Sequence, residues 1–285
     1  MSEAKSNIDL KSLIQENKKR LQEFNRPYNP YTGEGSPIER TLVVIPEFNM
    51  AVYLPLTMLK VPWVKIICER QSFSDSVQYL IQNHPEVGGK LENSDNPVSD
   101  LFIAFTYERF NHDFEFYAVT TLSIQDKQSL DDVPFILRKA QRKLLARLER
   151  MRLAGIPIRA ILLKARQWGG STLVQMYMLW IQQIHKKNWH LAVCAQGDDA
   201  AKNINAMYSR AAQMYPKDAG TITLKAYERS PKNRICVETG GIIGIGSYIN
   251  PDQFRSYNYP MVHLSEVGLW EDTMKRKAAN VAQSL

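Results

Sequence analysis

The residues of this chain best suited to chemistry lie in the run Lys164 to Thr172, Lys-Ala-Arg-Gln-Trp-Gly-Gly-Ser-Thr. Gly169 and Gly170 permit positive φ and a close approach of backbone to a ligand. Ser171 and Thr172 suit the opening of a helix whose first amides point back into the loop. That is the geometry of a phosphate cradle, in which Ala165, Gln167 and Trp168 complete the turn. Ser171 is placed to offer a hydroxyl to magnesium, and Lys164 or Arg166 a cation to the phosphates. Measured against the pattern Gly, four residues, Gly-Lys-Ser/Thr, Lys164 stands at the first Gly and Gly170 at the Lys. The alternative reading is an ordinary strand-to-helix corner. A second candidate is Ser265-Glu266, which closes the apolar run Met261 to Leu264; an acid at a strand's carboxyl end can polarise an attacking water, although a lone glutamate there is commonly just solvated. A third is Gln141, upstream of the loop, whose amide offers a donor and an acceptor together, as an adenine edge requires.

These residues need a frame. Ile158 to Leu163, short and rich in branched residues, is expected to be a central parallel strand covered on both faces. Thr172 to Lys187 is expected to be a helix with Leu173, Met176, Tyr177, Trp180, Ile181 and Ile184 on its buried face. Leu191 to Ala195 is then a strand, which completes a right-handed crossover. Asp198 is placed to cap a helix over Asp199 to Tyr215, which Pro216 ends. Arg234 to Glu238 and Ile242 to Ser247 flank Gly240-Gly241 as a hairpin, and Met261 to Leu264 is a further strand. Upstream, Pro134 to Arg150 reads as a basic helix with Pro134 in its first turn.

Nearer the start, Ile8 to Phe24 has the spacing of an exposed helix, and Asn25 to Pro37 that of a linker or ordered arm. Thr41 to Ile45 and Val64 to Cys68 read as strands, Ser74 to Gln82 as a helix and Gly88 to Ser99 as a polar loop. Leu101 to Tyr107 and Phe114 to Ile124 alternate like strands. His84, His112 and Asp113 are isolated and are assigned structural or surface roles. The expected fold is α/β: a P-loop NTPase-like parallel sheet flanked by helices over residues 131–285, preceded by a smaller α+β region over 38–130 and a helix and linker over 1–37.

A chain of 285 residues accommodates one large α/β domain and a smaller module. Its 44% hydrophobic and 23% charged residues are those of a globular protein. A net charge of +7 and a pI near 9.2 favour an acidic partner, with nucleic acid foremost; a mildly basic surface with no partner is the alternative. Cys68, Cys194 and Cys236 are far apart and make no metal spacing, which suits a reducing compartment. No apolar run has membrane-spanning length and the N-terminus lacks an apolar signal core, so neither secretion nor membrane insertion is expected.

The segments 134–145, 163–175, 190–203 and 234–270 together resemble the ATPase domain of the large terminase subunit of tailed bacteriophages. The resemblance is closest to versions whose loop reads Lys-Ala-Arg-Gln-x-Gly-x-Ser-Thr and whose acidic strand ends His-Leu-Ser-Glu-Val, and it covers roughly the C-terminal half. It implies that Gln141 binds adenine, that Arg166 is the arginine many of these motors keep in the loop, and that Ser171 holds magnesium. Ser265 falls at the usual Asp position of the acidic motif, and Glu266 corresponds to the catalytic carboxylate. The chain departs from the family at Gly170, where a lysine is usual, and at Ser265, a weaker magnesium partner than a carboxylate. The family's coupling motif and nuclease domain are not visible before Leu285, so the reading expects an N-terminal fragment or a split subunit that does not itself cut DNA.

The function implied is an ATP- and Mg2+-dependent motor that moves double-stranded DNA into a preformed capsid. Its implied partners are the portal protein, a small terminase subunit and further copies of itself, and its place is the host cytoplasm, transiently docked on the procapsid. Two alternatives remain open: a helicase-like remodelling ATPase, and a non-catalytic nucleotide-binding scaffold with a degenerate loop.

Overall fold

The computed structural model describes residues 9–126, 129–163, 168–213, 224–227, 230–236, 239–250, 254 and 258–272. The chain opens with α1 (Leu10–Asn25), started by Asp9, whose side chain accepts from the Lys11 amide. An arm follows, and then the hairpin of β1 (Arg40–Ile45) and β2 (Met50–Pro55), paired antiparallel around Asn49 in the left-handed region. Four helices complete this part: α2 (Pro62–Arg70), α3 (Ser74–Asn83), α4 (Pro85–Leu91) and α5 (Pro97–His112). Buried residues of the hairpin, the helices and the turns between them, among them Leu54, Met58, Ile67, Phe73, Leu80 and Leu101, form one core.

Three strand readings fail in this region, and part of a loop reading. Val64–Cys68 lies within α2, not in a strand, because Pro62 at the first turn starts a helix that buries Trp63, Val64 and Ile67. Leu101–Tyr107 belongs to α5, and Phe114–Thr121 is α6. Each has a capping side chain one residue before it: Asn96 accepts from the Ser99 amide, and Asp113 from the Phe116 amide. Part of the expected polar loop 88–99 is the end of α4 and the start of α5.

The strands β3 (Ser123–Gln125) and β4 (Asp132–Pro134) pair antiparallel. Pro134 therefore does not begin the basic helix. From Phe135 to Leu137 the chain is neither strand nor helix: the Ile136 amide turns back to the Pro134 carbonyl, Phe135 and Leu137 are buried and Ile136 is exposed, and α7 starts only at Lys139 (Lys139–Leu153).

Downstream the fold is mixed α/β. The five-stranded sheet has the order β6-β7-β8-β5-β9, built from β5 (His190–Ala195), β6 (Leu224–Tyr227), β7 (Ser230–Cys236), β8 (Gly241–Ser247) and β9 (Met261–Leu264). β8, β5 and β9 run parallel, while β6 and β7 extend the sheet antiparallel. Leu191, Val193 and Ala195 face a core shared with α6, α7, α8 (Gly170–Trp180) and α9 (Asp198–Gln213). Ala192 and Cys194 face Phe254, Tyr259 and Trp270 on the other side. The period of two thus puts β5 under cover on both faces, as a central parallel strand requires. Burial pushes the Cys194 thiol up to about 12, so it is an inert packing group.

The expected central strand Ile158–Leu163 is absent. These residues form no strand, and Ile161 and Leu163 are fully exposed. Among the described strands β5 is flanked by β8 and β9, and β9 ends the sheet with no strand paired to its outer edge. α8 also ends earlier than expected, at Trp180, and passes into a π-helical turn, Ile181–His185, that buries Gln182 and Gln183. The Tyr208 hydroxyl donates to Gln182 and the Tyr117 hydroxyl to Gln183, which answers part of the polar cost of that turn. Among the described residues no helix is long and apolar enough to cross a membrane.

Candidate functional site

Three parallel strands ending side by side make a natural site, because the segments that leave their carboxyl ends converge there. β5 continues into Asp198 at the start of α9, β8 ends in Ser247, and β9 leads into Ser265 and Glu266. These ends are stitched together. The Ser265 amide donates to the Cys194 carbonyl at 2.8 Å and the Tyr248 amide to the Ala195 carbonyl at 2.9 Å. The Ser247 hydroxyl donates to an Asp198 carboxylate oxygen at 2.6 Å, tying β8 to the first turn of α9. The rings of Tyr248 and Trp270 stack with centroids 5.2 Å apart, and the indole N–H of Trp270 donates to the Ser265 carbonyl at 3.1 Å.

Glu266 is exposed and sits at φ 57°, in the left-handed region, where it starts the short turn Val267–Leu269. A non-glycine residue held there costs of order 1 kcal/mol and is retained where the surroundings over-determine it. Ser265, one residue earlier, is buried.

The second part of the site is the first turn of α8. Gly169 precedes the helix at φ 82°, a conformation glycine takes without penalty. Its carbonyl accepts from the Gln141 side-chain amide at 2.8 Å, while the Gln141 amide oxygen accepts from the Arg138 amide at 2.7 Å. Gln141 is 3% exposed and thus joins the start of α7 to the start of α8. It fits closely, since a Cβ on Gly169 would lie 2.6 Å from the Gln141 nitrogen. Gly170 meets the Trp168 indole instead: a Cβ there would lie 2.5 Å from a ring carbon. Ser171 and Thr172 follow, both half-buried. α8 packs against β9, the strand that leads to Ser265 and Glu266.

Of the sequence candidates, Gln141, Trp168, Gly169, Gly170, Ser171 and Thr172 meet around the α7–α8 junction, and Ser265 and Glu266 follow the neighbouring strand. Lys164, Ala165, Arg166 and Gln167 lie outside the described residues. The sequence reading missed Ser247, which carries no motif. It also missed Gln175, fully buried one turn after Ser171, both of whose amide atoms lack a partner among the described residues. A buried amide at that position is visible as a polar residue on an otherwise apolar helix, and that is the signal that could have found it. The cluster of Glu149, Arg152 and Tyr177 is structural: the Tyr177 hydroxyl and the Arg152 guanidinium both donate to Glu149. Burial, and then the Glu149 charge, push the Tyr177 hydroxyl far above its ordinary value, so it stays protonated.

No protein-family model matches the chain, and no curated protein matches it in sequence.

Proposed function

We propose that this chain carries the ATPase part of a DNA-packaging motor of the large-terminase type, built on a P-loop-like sheet. It binds ATP with Mg2+ at the α7–α8 junction and uses hydrolysis to drive double-stranded DNA into a preformed capsid. The observation that supports this reading is the placing of α8: its first turn is tied to Gln141 and its body packs on the strand that leads to Ser265-Glu266.

The residues present suit such a ligand. The first amides of a helix have no partner within it and can donate to phosphate oxygens, and the glycines at 169 and 170 leave the backbone uncovered by side chains of their own. Ser171 and Ser265 would hold the magnesium, a cation that takes one or two protein oxygens and leaves its other positions to water and phosphate. Among the described residues no group of three or more His, Cys, Asp or Glu side chains forms a metal cage, and a site of this kind does not call for one. Bound magnesium supplies neutralisation of charge on the phosphate oxygens.

Glu266 holds and orients the attacking water. Gln141 spends one of its two N–H donors on Gly169 and one of its oxygen lone pairs on Arg138, which leaves one donor and one acceptor for the adenine edge. Arg166 supplies the cation at the transition state, its planar fork suiting a phosphoryl group, and Lys164 contributes to binding. The portal protein, a small terminase subunit and further copies of the chain are the partners this reading requires, with the host cytoplasm and the procapsid as its place of action.

One observation favours a second reading. The Trp168 indole lies against Gly170 where the family's lysine would branch, so the loop as arranged has no room for that side chain. A non-catalytic nucleotide-binding scaffold would share this feature. Steady-state ATP hydrolysis, measured beside nucleotide binding in the parent chain and in Glu266→Gln, separates the two. The motor reading expects magnesium-dependent turnover that Glu266→Gln abolishes while binding survives; binding without turnover in the parent supports the scaffold, and no binding in either sinks both.

A further inference from the structure

Among the described residues α1 shows no face committed to the body of the protein: every side chain from Asp9 to Gln22 is exposed, including Leu10, Leu13, Ile14 and Leu21. An isolated helix of this length is marginal in water, so an apolar stripe of this kind is of use only when something covers it. The stripe has a defined form. Leu10, Ile14, Asn17 and Leu21 follow one another at intervals of four, three and four residues, the spacing of the a/d seam of a coiled coil, with Leu13 adjoining it on one side. Asn17 stands within that seam, where a polar residue sets register at some cost in stability.

The flanks of the seam are basic. Lys11 and Lys18 lie on one side and Arg20 on the other, while the acids Glu16 and Glu23 occupy positions further out. Glu16 pairs with Arg20 at 2.5 Å, an exposed contact that a partner's carboxylate can replace. A second copy of α1 is a poor match. In a parallel pair Leu13 would face Lys18 and Arg20 would face Asn25, giving no attractive charge pair, and in an antiparallel pair lysine would face lysine. A membrane is also a poor match, since the seam is narrow and interrupted by Asn17.

We propose that α1 is a docking helix for a different protein that presents an amphipathic helix with acidic residues flanking an apolar seam. Apolar contacts supply the affinity, and the Lys11, Lys18 and Arg20 flanks select the partner and exclude a second copy.

The test uses the full chain and two fluorescent helical peptides of three heptads, with the same leucine and isoleucine seam, one flanked by glutamate and the other by lysine. Fluorescence anisotropy is followed up to about 1 mM peptide, a range that includes weak helix pairs. Half-saturation by the glutamate peptide within that range, at least tenfold weaker with the lysine peptide, is the expected result. Ile14→Asp should abolish binding. Lys18→Glu with Arg20→Glu should invert the preference; neither variant touches a buried residue. Equal binding of both peptides, or of neither, overturns the proposal. So does concentration-dependent dimerisation in sedimentation equilibrium that Ile14→Asp removes, which would make a second copy the occupant. Binding to phosphatidylserine vesicles that Ile14→Asp abolishes, with no peptide binding, would make it a membrane helix.

Discussion

Substituting Gly170 tests whether the Trp168 indole occupies the space that a side chain at position 170 would need. A Cβ at Gly170 would lie 2.5 Å and 2.8 Å from two indole carbons and 3.2 Å from the ring nitrogen. Carbon atoms in ordinary contact stand about 3.5–4.0 Å apart, so the ring must move. Overpacking of this kind costs about 1–3 kcal/mol. Against it stands helix propensity, since alanine is favoured over glycine in a helix by about 1 kcal/mol. Gly170→Ala alone should therefore range from neutral to about 2 kcal/mol destabilising. In a Trp168→Ala background the clash is gone, and the same change should stabilise by up to about 1 kcal/mol. The coupling between the two positions, read from urea denaturation of the four variants, should accordingly be about 1–3 kcal/mol. Additivity to within about 0.5 kcal/mol would refute the steric account. The corollary for the proposed function is that Gly170→Lys, which puts a lysine where the terminase loops it resembles carry one, should weaken nucleotide binding when Trp168 is present. It should do so less, or strengthen binding, once Trp168→Ala clears the space. Tighter binding by Gly170→Lys alone would refute the argument.

Arg40 donates to Asp113 at 2.6 Å and 2.8 Å and to Glu115 at 2.7 Å, all three side chains being buried, so Arg40→Met should cost about 3–5 kcal/mol in chemical denaturation. Burial pushes Asp113 up, but Arg40, Arg109 and their hydrogen bonds outweigh it and hold the carboxyl at about 2. Its stabilising contribution is therefore fully present above the ordinary value of 3.8 and is lost as pH falls through about 2, so Arg40→Met should move the onset of acid unfolding to higher pH. Glu115 works in the opposite sense: burial holds its carboxyl above the ordinary value, so Glu115→Gln should lose less stability near neutrality than Asp113→Asn does. Ile161→Asp and Leu163→Asp, at fully exposed positions, should each change stability by less than about 0.5 kcal/mol, and a loss of several times that in thermal unfolding would mean that the run is packed into the sheet. Glu266→Gly should raise stability by of order 1 kcal/mol through release of the left-handed backbone, while ATP turnover falls; a stability gain with turnover intact would remove Glu266 from the reaction.

What could be read from the sequence depended on how local the deciding interaction was. β5, β8 and β9 were legible because short apolar runs bounded by turn residues suit a sheet covered on both faces, and β5 alternates between two cores as such a strand must. The same criterion misled at Ile158–Leu163, where the composition is right yet the residues form no strand and Ile161 and Leu163 stand fully exposed; composition states what a segment tolerates, not whether it pairs. α5 and α6 failed for a different reason. Their apolar residues imitate alternation, whereas Asn96 and Asp113 mark the helix starts, and one capping side chain outweighed the pattern in each case. Asp113 also shows why an isolated acid could be assigned a structural role without its partners being known, since Arg40 and the arm carbonyl of Tyr31, reached through Arg109, come from more than 70 positions away. The site divides along the same line. The candidate hydroxyl, glycine and glutamine positions were open to selection from the sequence because each has a side-chain chemistry or a backbone freedom that one residue type supplies. The packing of Trp168 on Gly170 was not, because a glycine in a motif reads as freedom for a ligand until the neighbour that fills the space is seen. A departure from a motif is therefore better judged by what occupies the space at that position than by the residue type alone; on the motor reading proposed above, the cation at the phosphates would come from Arg166 or Lys164, the nearest in the chain.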